Sequence, residues 1–251
     1  MLSDKNAHPR DDVIEFDEKS HTYTIEGQSN YLSMTTWLHS FFKKFDGPVV
    51  IQKMRKGRNW NPQNKYYYMT DAQILASWKA KGQESAARGT WMHENIEYFY
   101  NGIEMDDEFL ESKEWQFFSQ YFRDHQYIPY RTEWRIFSEE HRIAGSIDMV
   151  YEDPENIGQY MICDWKRVEE IKTDNPYEKG LGILQNFDNC NYWHYTLQLN
   201  GYRHILENRY QLKISRLFLV VLHPNQETYL KYDIPMLDMQ TLFDFRLVSL
   251  K

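Results

Sequence analysis

The stretch "ICDWKR", residues 162–167, ends an apolar run with an acid, one spacer residue and a lysine. Ile162 and Cys163 predict a buried strand, and charged residues are rarely buried unless they are paired. One interpretation is a surface ion pair between Asp164 and Lys166, which would contribute about 0–1 kcal/mol. The other is a metal site with a catalytic lysine. The choice depends on what other segments bring to the same place.

A second acid, Asp148, lies near the end of the preceding predicted strand, "HRIAGSIDMVYED". The turn signal "DPENIG" joins this strand to the next as a hairpin, so Asp148 and Asp164 are expected to lie close together. Two close carboxylates repel each other unless a cation lies between them or one is protonated, and Mg²⁺ suits such a pair. Lys166 shares a strand face with Asp164, where it can orient the attacking water or stabilise charge on phosphorus.

Two further candidates flank this pair. Glu133, in "TEWRI" on the strand before, could add a metal ligand or hold Lys166, or it could be exposed to solvent. His93 and Glu97 lie four residues apart on one face of a predicted helix. Imidazole is a reasonable ligand for Mn²⁺, although a single helical histidine is usually structural and Glu97 is the weaker candidate.

A later predicted helix, "NYWHYTLQLNGYRHILENRY", carries Tyr195, Gln198 and Tyr202 along one side. Gln and Tyr side chains can reach phosphate oxygens or hold the lysine by hydrogen bonds. Apolar neighbours on the same helix also explain its packing without any functional role.

The element pattern predicts a mixed sheet. Residues 1–12 are polar and predicted to be frayed, and "VIEFDEKSHTYTIEG" predicts a hairpin. Helices follow, with a mostly looped segment after Lys43 and an expected helix end at Gly82. Three strands, a helix and two more strands complete the chain. This order predicts one α/β fold with helices flanking a mixed sheet, divided into an N-terminal region (1–69) and a core (70–251).

The charge is unevenly distributed. The net charge is −8, yet residues 43–68 contain seven basic residues and one acid, Asp46, interleaved with aromatic rings. Positive charge with aromatic side chains suits single-stranded nucleic acid. The candidate substrate-binding residues are Lys53, Arg55, Lys56, Arg58 and Trp60. The alternative is a solvated surface loop whose rings pack on the protein.

Cysteine content and hydropathy bear on the compartment. Cys163 and Cys190 fit no zinc spacing and are too few for a four-cysteine iron–sulfur cluster, so an intracellular, reducing compartment is expected. The longest apolar run, "LFLVVL" at 217–222, is too short to span a bilayer, and no membrane association is expected. The N-terminus resembles neither a secretory signal nor a transit peptide.

Five stretches together resemble a known family. In order they are "RGTWMHENIE", "TEWRI", "AGSID", "CDWK" and "YTLQLNGYR". The order, over residues 85–222, resembles RecB-type nucleases of the PD-(D/E)XK superfamily, with the final Gln198–Tyr202 motif typical of that branch. The segments "LSMTTWLHSFFKKFD" and 66–101 resemble single-strand exonucleases of the mitochondrial genome-maintenance type and their large-DNA-virus relatives.

The resemblance implies a restriction-endonuclease-like core and a role for each matched residue. His93, Asp148, Asp164 and the carbonyl of Trp165 would bind Mg²⁺ or Mn²⁺, and Lys166 would be the catalytic lysine. Glu133 would match an acid on the preceding strand, while Gln198 and Tyr202 would support the lysine and DNA, with Tyr195 beside them. CRISPR adaptation nucleases share these motifs but carry an iron–sulfur cluster, for which this chain lacks the cysteines.

The expected activity is metal-dependent hydrolysis of DNA, with a preference for free single-stranded ends implied by the resemblance alone. Replication or recombination proteins are the expected partners besides DNA. Two alternatives stay open at this point: a nucleic-acid-binding subunit without turnover, and an RNA endonuclease that uses the same site chemistry.

Overall fold

The computed structural model describes residues 1–250. The N-terminal part forms short helices around an antiparallel hairpin. Its elements are α1 (Leu2–Lys5), β1 (Ile14–Asp17), β2 (Thr22–Ile25), β3 (Leu32–Ser33), α2 (Met34–His39) and α3 (Gly47–Arg55). The elements that follow are α4 (Asp71–Asn101), α5 (Asp107–Leu110), α6 (Lys113–His125), β4 (Ile128–Ser138), β5 (Ile143–Glu152), β6 (Gln159–Lys166), α7 (Asn191–Arg209), β7 (Lys213–Val221), β8 (Leu230–Ile234) and α8 (Gln240–Ser249).

Within residues 1–250, the six strands β3–β8 form one mixed sheet. Strand β5 pairs antiparallel with β4 and β6, and β7 pairs antiparallel with β8. The β3–β5 and β6–β7 ladders are parallel. The predicted α/β fold, with a mixed central sheet flanked by helices and a small N-terminal hairpin, is confirmed.

Strand β5 has a gap along one edge. Strand β4 pairs with β5 along its whole length, so β3 and β6 must share the other edge. On that edge β3 pairs with residues 143–144 and β6 with residues 149–152. Residues 145–148 lie between these two ladders, where the sheet splits. A split of this kind leaves room for side chains that a continuous sheet would exclude.

Apolar side chains cover both faces of the sheet. One face packs on α2, α7 and α8 through a cluster that includes Trp37, Leu197 and Phe243. On the other face, Trp165 of β6 meets the rings of two α6 residues, Phe118 and Tyr121, at 5.6 and 5.4 Å between ring centroids. The sheet is therefore a buried layer, and polar groups that point from it into the protein need partners.

The first residues of the chain are docked on β4. Asp11 accepts hydrogen bonds from Arg131 Nη1 at 2.6 Å and from Trp134 Nε1 at 2.8 Å. Asn6 Nδ2 donates to the carbonyl of Tyr130 at 2.8 Å. The prediction that residues 1–12 are frayed is therefore wrong. Asn6 and Asp11 are held in place because they satisfy polar groups of β4.

One predicted helix boundary is also wrong. Gly82 does not end a helix, since α4 runs without interruption from Asp71 to Asn101. The segment after Lys43 is mostly loop, as predicted, but it also contains the short helix α3 with Asp46 as N-cap. Pro48 lies in the first turn of α3, where its missing N–H has no intrahelical partner to lose.

The chain divides into two compact units. The larger comprises Met1–Lys43 and Met92–Lys251, and the smaller comprises Lys44–Trp91. The predicted division between residues 69 and 70 falls inside the smaller unit. Among residues 1–250, no helix combines the length and the apolar character needed to cross a lipid bilayer.

Asp153 organises the turn between β5 and β6. Its carboxylate accepts hydrogen bonds from the backbone N–H of Glu155 at 2.8 Å, from Asn156 Nδ2 at 2.9 Å and from Ser215 Oγ. Burial raises the pKa of Asp153, but these hydrogen bonds outweigh burial and lower it to about 2. The ionised carboxylate therefore stabilises the folded state.

We expect Asp153→Asn to lower the free energy of unfolding at pH 7 by about 1–3 kcal/mol, because the hydrogen bonds to an ionised acceptor are lost or weakened. The pKa of Asp153 is lower in the folded state than its ordinary value of 3.8. The carboxylate therefore stabilises the fold fully above pH 3.8, and this stabilisation is lost as the pH falls through about 2. Urea unfolding should show the gap between wild type and variant narrowing from pH 7 towards pH 2.5. The exposed Asp12→Asn controls for loss of one charge, and a gap independent of pH would contradict this account.

Candidate active site

The end of β6 carries the acid and lysine of the opening stretch. Asp164 Oδ2 lies 2.5 Å from Lys166 Nζ, and the two side chains are 3% and 16% exposed. This is therefore not a surface ion pair, since Asp164 is buried and most of the Lys166 side chain is covered. The pKa of Asp164 is raised to about 7, mainly by burial and to a lesser extent by the nearby charge of Asp148. Lys166 acts in the opposite direction and lowers this pKa.

The ammonium of Lys166 has a second neighbour on α7. Its Nζ lies 4.7 Å from the centroid of the Tyr195 ring, within the range of a cation–π interaction. Burial lowers the pKa of Lys166, but the negative charges of Asp164 and Asp148 outweigh burial and raise it. Lys166 is therefore held as an ammonium that can donate hydrogen bonds.

Asp148 lies where β5 and β6 part. The last paired residues of these strands on this side are Met149 and Cys163, so Asp148 and Asp164 come next, one on each strand. Asp148 Oδ2 accepts a hydrogen bond from the backbone N–H of Trp165 at 2.9 Å. A side chain thus takes the place of a backbone acceptor in the gap of the sheet, which fixes the carboxylate in position.

His93 reaches this point from α4. Its Nε2 lies 3.0 Å from the carbonyl oxygen of Trp165, and its Nδ1 lies 3.5 Å from Asp148 Oδ2. A carbonyl can only accept, so Nε2–H donates and holds the ring with Nδ1 towards the acids. Burial lowers the pKa of His93, but Asp148 and Glu133 outweigh it and raise it to about 9.

Glu133 completes the group through an unusual backbone. Its φ is +43°, in the left-handed region that L-residues avoid. Successive side chains of a regular strand point to opposite faces. Here Thr132 Oγ1 accepts from Asn101 of α4 at 2.9 Å, while Glu133 Oε1 lies 3.8 Å from His93 Nδ1 of the same helix. The left-handed residue lets both side chains face α4.

The donor set fits a divalent cation. His93, Glu133 and Asp148 each offer a ligand atom within 4.8 Å of the other two. Asp164 Oδ2 is buried and, among residues 1–250, has no aligned hydrogen-bond donor despite its closeness to Lys166. Carboxylates suit Mg²⁺, and a set that adds imidazole also suits Mn²⁺. The structure thus groups Glu133 with His93 and Asp148, whereas Asp164 pairs with Lys166.

The predicted α7 residues lie next to the gap in β5. Gln198 Nε2 donates to the hydroxyl of Tyr202 at 3.1 Å. The Tyr202 ring packs on Gly145, where an added Cβ would come within 2.5 Å of Cε1. Tyr195 rather than Gln198 contacts Lys166. The motif "AGSID" therefore needs its glycine so that this ring can approach the strand.

Two residues that support the site were not predicted from the sequence. Ser146 Oγ donates to Glu133 Oε2 at 3.0 Å, and Gly145 admits the Tyr202 ring. Both have small side chains and lie just before Asp148, and that position beside an acid is their only trace in the sequence.

The basic segment belongs mostly to the smaller unit, where its residues differ in role. Arg55 is engaged within that unit: its guanidinium contacts Asp71 and the carbonyl of Met69 and lies 4.6 Å from the centroid of the Trp60 ring. The side chains of Lys53, Lys56 and Arg58 are exposed. Arg55 and Trp60 thus hold the segment in shape, and the three exposed cations remain candidates for binding.

Comparison with known proteins gives weak likenesses only. A protein of Eubacterium rectale described as a "putative exonuclease" is 17% identical at a TM-score of 0.40, covering 88% of this chain and 79% of that chain. The protein SSO0001 is 14% identical at a TM-score of 0.34, covering 89% and 77%. No protein-family model and no curated protein matches the sequence. Likenesses this weak assign no function, so the roles of the site residues follow from their geometry.

The backbone of Glu133 makes a direct prediction. Glycine in a strand normally costs about 0.5–1 kcal/mol relative to alanine, but at a positive φ the order reverses. We expect Glu133→Gly to be more stable than Glu133→Ala by about 1 kcal/mol in urea unfolding. The matched control is Arg135, two residues along the same strand, where the alanine variant should be the more stable. Alanine being favoured at both positions would show that the left-handed backbone is not maintained.

Proposed function

We propose that this chain hydrolyses phosphodiester bonds of nucleic acid with the help of a divalent cation. The observation that carries the proposal is the grouping of His93, Glu133 and Asp148 within 4.8 Å beside a buried acid–lysine pair. Buried carboxylates next to a fixed ammonium form a site that can accept both a cation and a phosphate. Purely structural ion pairs do not need the additional imidazole and carboxylates.

Each residue of the site has a separate task. His93, Glu133 and Asp148 would hold the cation, with Asp164 as a further oxygen ligand. The predicted ligand role of the Trp165 carbonyl is not kept, because this oxygen accepts from Nε2 of His93 on the ring edge opposite Nδ1. When bound, the cation would polarise the scissile phosphate and lower the pKa of a coordinated water. Lys166 would donate to a phosphate oxygen and stabilise negative charge in the transition state. The Tyr195 ring keeps the lysine side chain directed to that position.

The substrate class that we propose is DNA, attacked from a single-stranded end in replication, repair or recombination. Support comes from the resemblance of the sequence motifs and from the exposed cations and rings of residues 43–68. An intracellular location and Mg²⁺ or Mn²⁺ as the cation belong to the same proposal.

The decisive experiment uses end-labelled single-stranded DNA, double-stranded DNA and matched RNA, with each end blocked in turn. We expect single-stranded DNA to be shortened from a free end with Mg²⁺ or Mn²⁺ and to persist in EDTA. Preferential internal cleavage of RNA would instead identify an RNA endonuclease. Binding without cleavage of any substrate in either metal would identify a binding subunit and contradict hydrolysis.

We expect Lys166→Ala to lower kcat roughly 10²–10³-fold, as is typical for removal of one electrostatic donor, with little change in DNA affinity. The chain offers a matched control in Lys231, which forms the same i,i+2 strand pair with Asp233 at 2.6 Å and lies 4.7 Å from the Phe218 ring centroid. Lys231→Ala should retain activity. Equal activity of the two variants would remove Lys166 from the mechanism.

The binding role of the exposed cations in the smaller unit can be distinguished by mutation from the structural role of Arg55. The triple variant Lys53→Ala, Lys56→Ala, Arg58→Ala should bind single-stranded DNA more weakly, and the slope of log affinity against log salt should fall by roughly 2. Its melting temperature should match that of wild type. Arg55→Ala should instead lower the melting temperature. An unchanged salt slope in the triple variant would exclude phosphate contacts by these residues.

A further inference from the structure

Arginine side chains of the larger unit are almost all engaged within the protein. Those with a hydrogen bond or an ion pair are Arg10, Arg131, Arg142, Arg167, Arg203, Arg209, Arg216 and Arg246. Within residues 1–250, the guanidinium of Arg135 makes neither kind of contact. It lies 5.7 Å from the centroid of the Phe16 ring. An exposed guanidinium held against one ring keeps its N–H edges free for a ligand.

Arg135 lies on the face of the sheet that carries the candidate site. Its neighbours Trp134 and Ile136 are buried in the core on the other face, so Arg135 points away from them. Its partner across the ladder is Ser146. Residues directly opposite each other share a face with Cβ atoms about 5 Å apart. Ser146 in turn donates to Glu133, which joins Arg135 to the acidic group through one intervening side chain.

Glu97 and Glu133 bring negative charge close to Arg135. Burial, followed by the charge of Glu133, raises the pKa of Glu97, and Arg135 opposes this rise. Arg135 therefore acts on the same cluster of acids without being neutralised by an ion pair with any of them. A positive group beside these acids favours the approach of a polyanionic strand.

We propose that Arg135 binds the backbone phosphate next to the one that is hydrolysed, an inference that rests on the proposed function. Glu133 and Arg135 are two residues apart on β4, a step of about 7 Å along a strand. Neighbouring phosphates of an extended nucleic-acid chain have a comparable spacing. The planar guanidinium matches phosphate in a two-point contact, and the Phe16 ring holds its other surface.

The test combines a protein variant with a substrate variant. Arg135→Ala should lower kcat/KM for an oligonucleotide roughly 10-fold, the loss typical of one charged hydrogen-bonded contact. Both proteins are also assayed on two modified oligonucleotides. Each carries a neutral methylphosphonate at one of the two linkages that flank the scissile phosphate. One of the two modified oligonucleotides should be cleaved by wild-type protein roughly 10-fold more slowly than the unmodified one. The Arg135→Ala variant should cleave that modified oligonucleotide no more slowly than it cleaves the unmodified one, because the contact is already absent.

Three controls separate this role from others. Thymidine 5′-(4-nitrophenyl phosphate) has no neighbouring phosphate, so both proteins should cleave it equally. Arg135→Lys should fall between wild type and Arg135→Ala on the oligonucleotide. Arg123 of α6 has an exposed side chain without an ion pair or hydrogen bond in residues 1–250, and Arg123→Ala should match wild type.

Additive losses from the methylphosphonate and Arg135→Ala, or an equal loss on the small ester, would overturn the inference. Unchanged oligonucleotide cleavage by Arg135→Ala would overturn it as well while leaving the proposed function intact. Failure of wild-type protein to cleave any ester would instead overturn the proposed function itself.

Discussion

Charge balance at the end of β6 is the constraint on which the site depends. Asp164 is almost fully buried, and Asp148 carries a second acid to the same place. A buried carboxylate is costly unless it is paired and hydrogen-bonded. Lys166, the N–H of Trp165 and the ring of His93 supply these partners. Lys166, the group that we propose acts on the phosphate, is thus also one of the groups that stabilise the acids.

Two departures from regular sheet geometry make this arrangement possible. The gap beside residues 145–148 lets the Asp148 side chain bond to the backbone of β6. The left-handed backbone of Glu133 interrupts the alternation of side chains, so that Glu133 and its neighbour Thr132 both face α4. Strained residues persist only where the surrounding structure fixes them, and they occur often at functional sites.

The sequence predicted the strands other than the two-residue β3, and the meeting of two acids, because both depend on local patterns. Apolar runs define β5 and β6, and the turn at Asp153 pairs the two strands so that Asp148 and Asp164 follow the last pair of the ladder. Glu133 was predicted as a candidate ligand, but its left-handed backbone could not be predicted, because a positive φ at a glutamate leaves no trace in the pattern. The uninterrupted α4 was missed since Gly82 is a weak signal that neighbouring helical residues override. The docking of residues 1–12 depends on Arg131 and Trp134, more than a hundred residues away.

The pairing of β3 with β5 has a consequence for biosynthesis. Leu32 pairs with Ile143, so the N-terminal strand finds its partner only after about 110 further residues have been made. At a translation rate of roughly 5–20 residues per second, this delay is on the order of 10 s. Contacts between distant parts of a chain also form slowly for entropic reasons. During that interval the apolar side chains of α2, which end up in the core, have no sheet to cover, and the nascent chain is exposed to aggregation or to capture by chaperones.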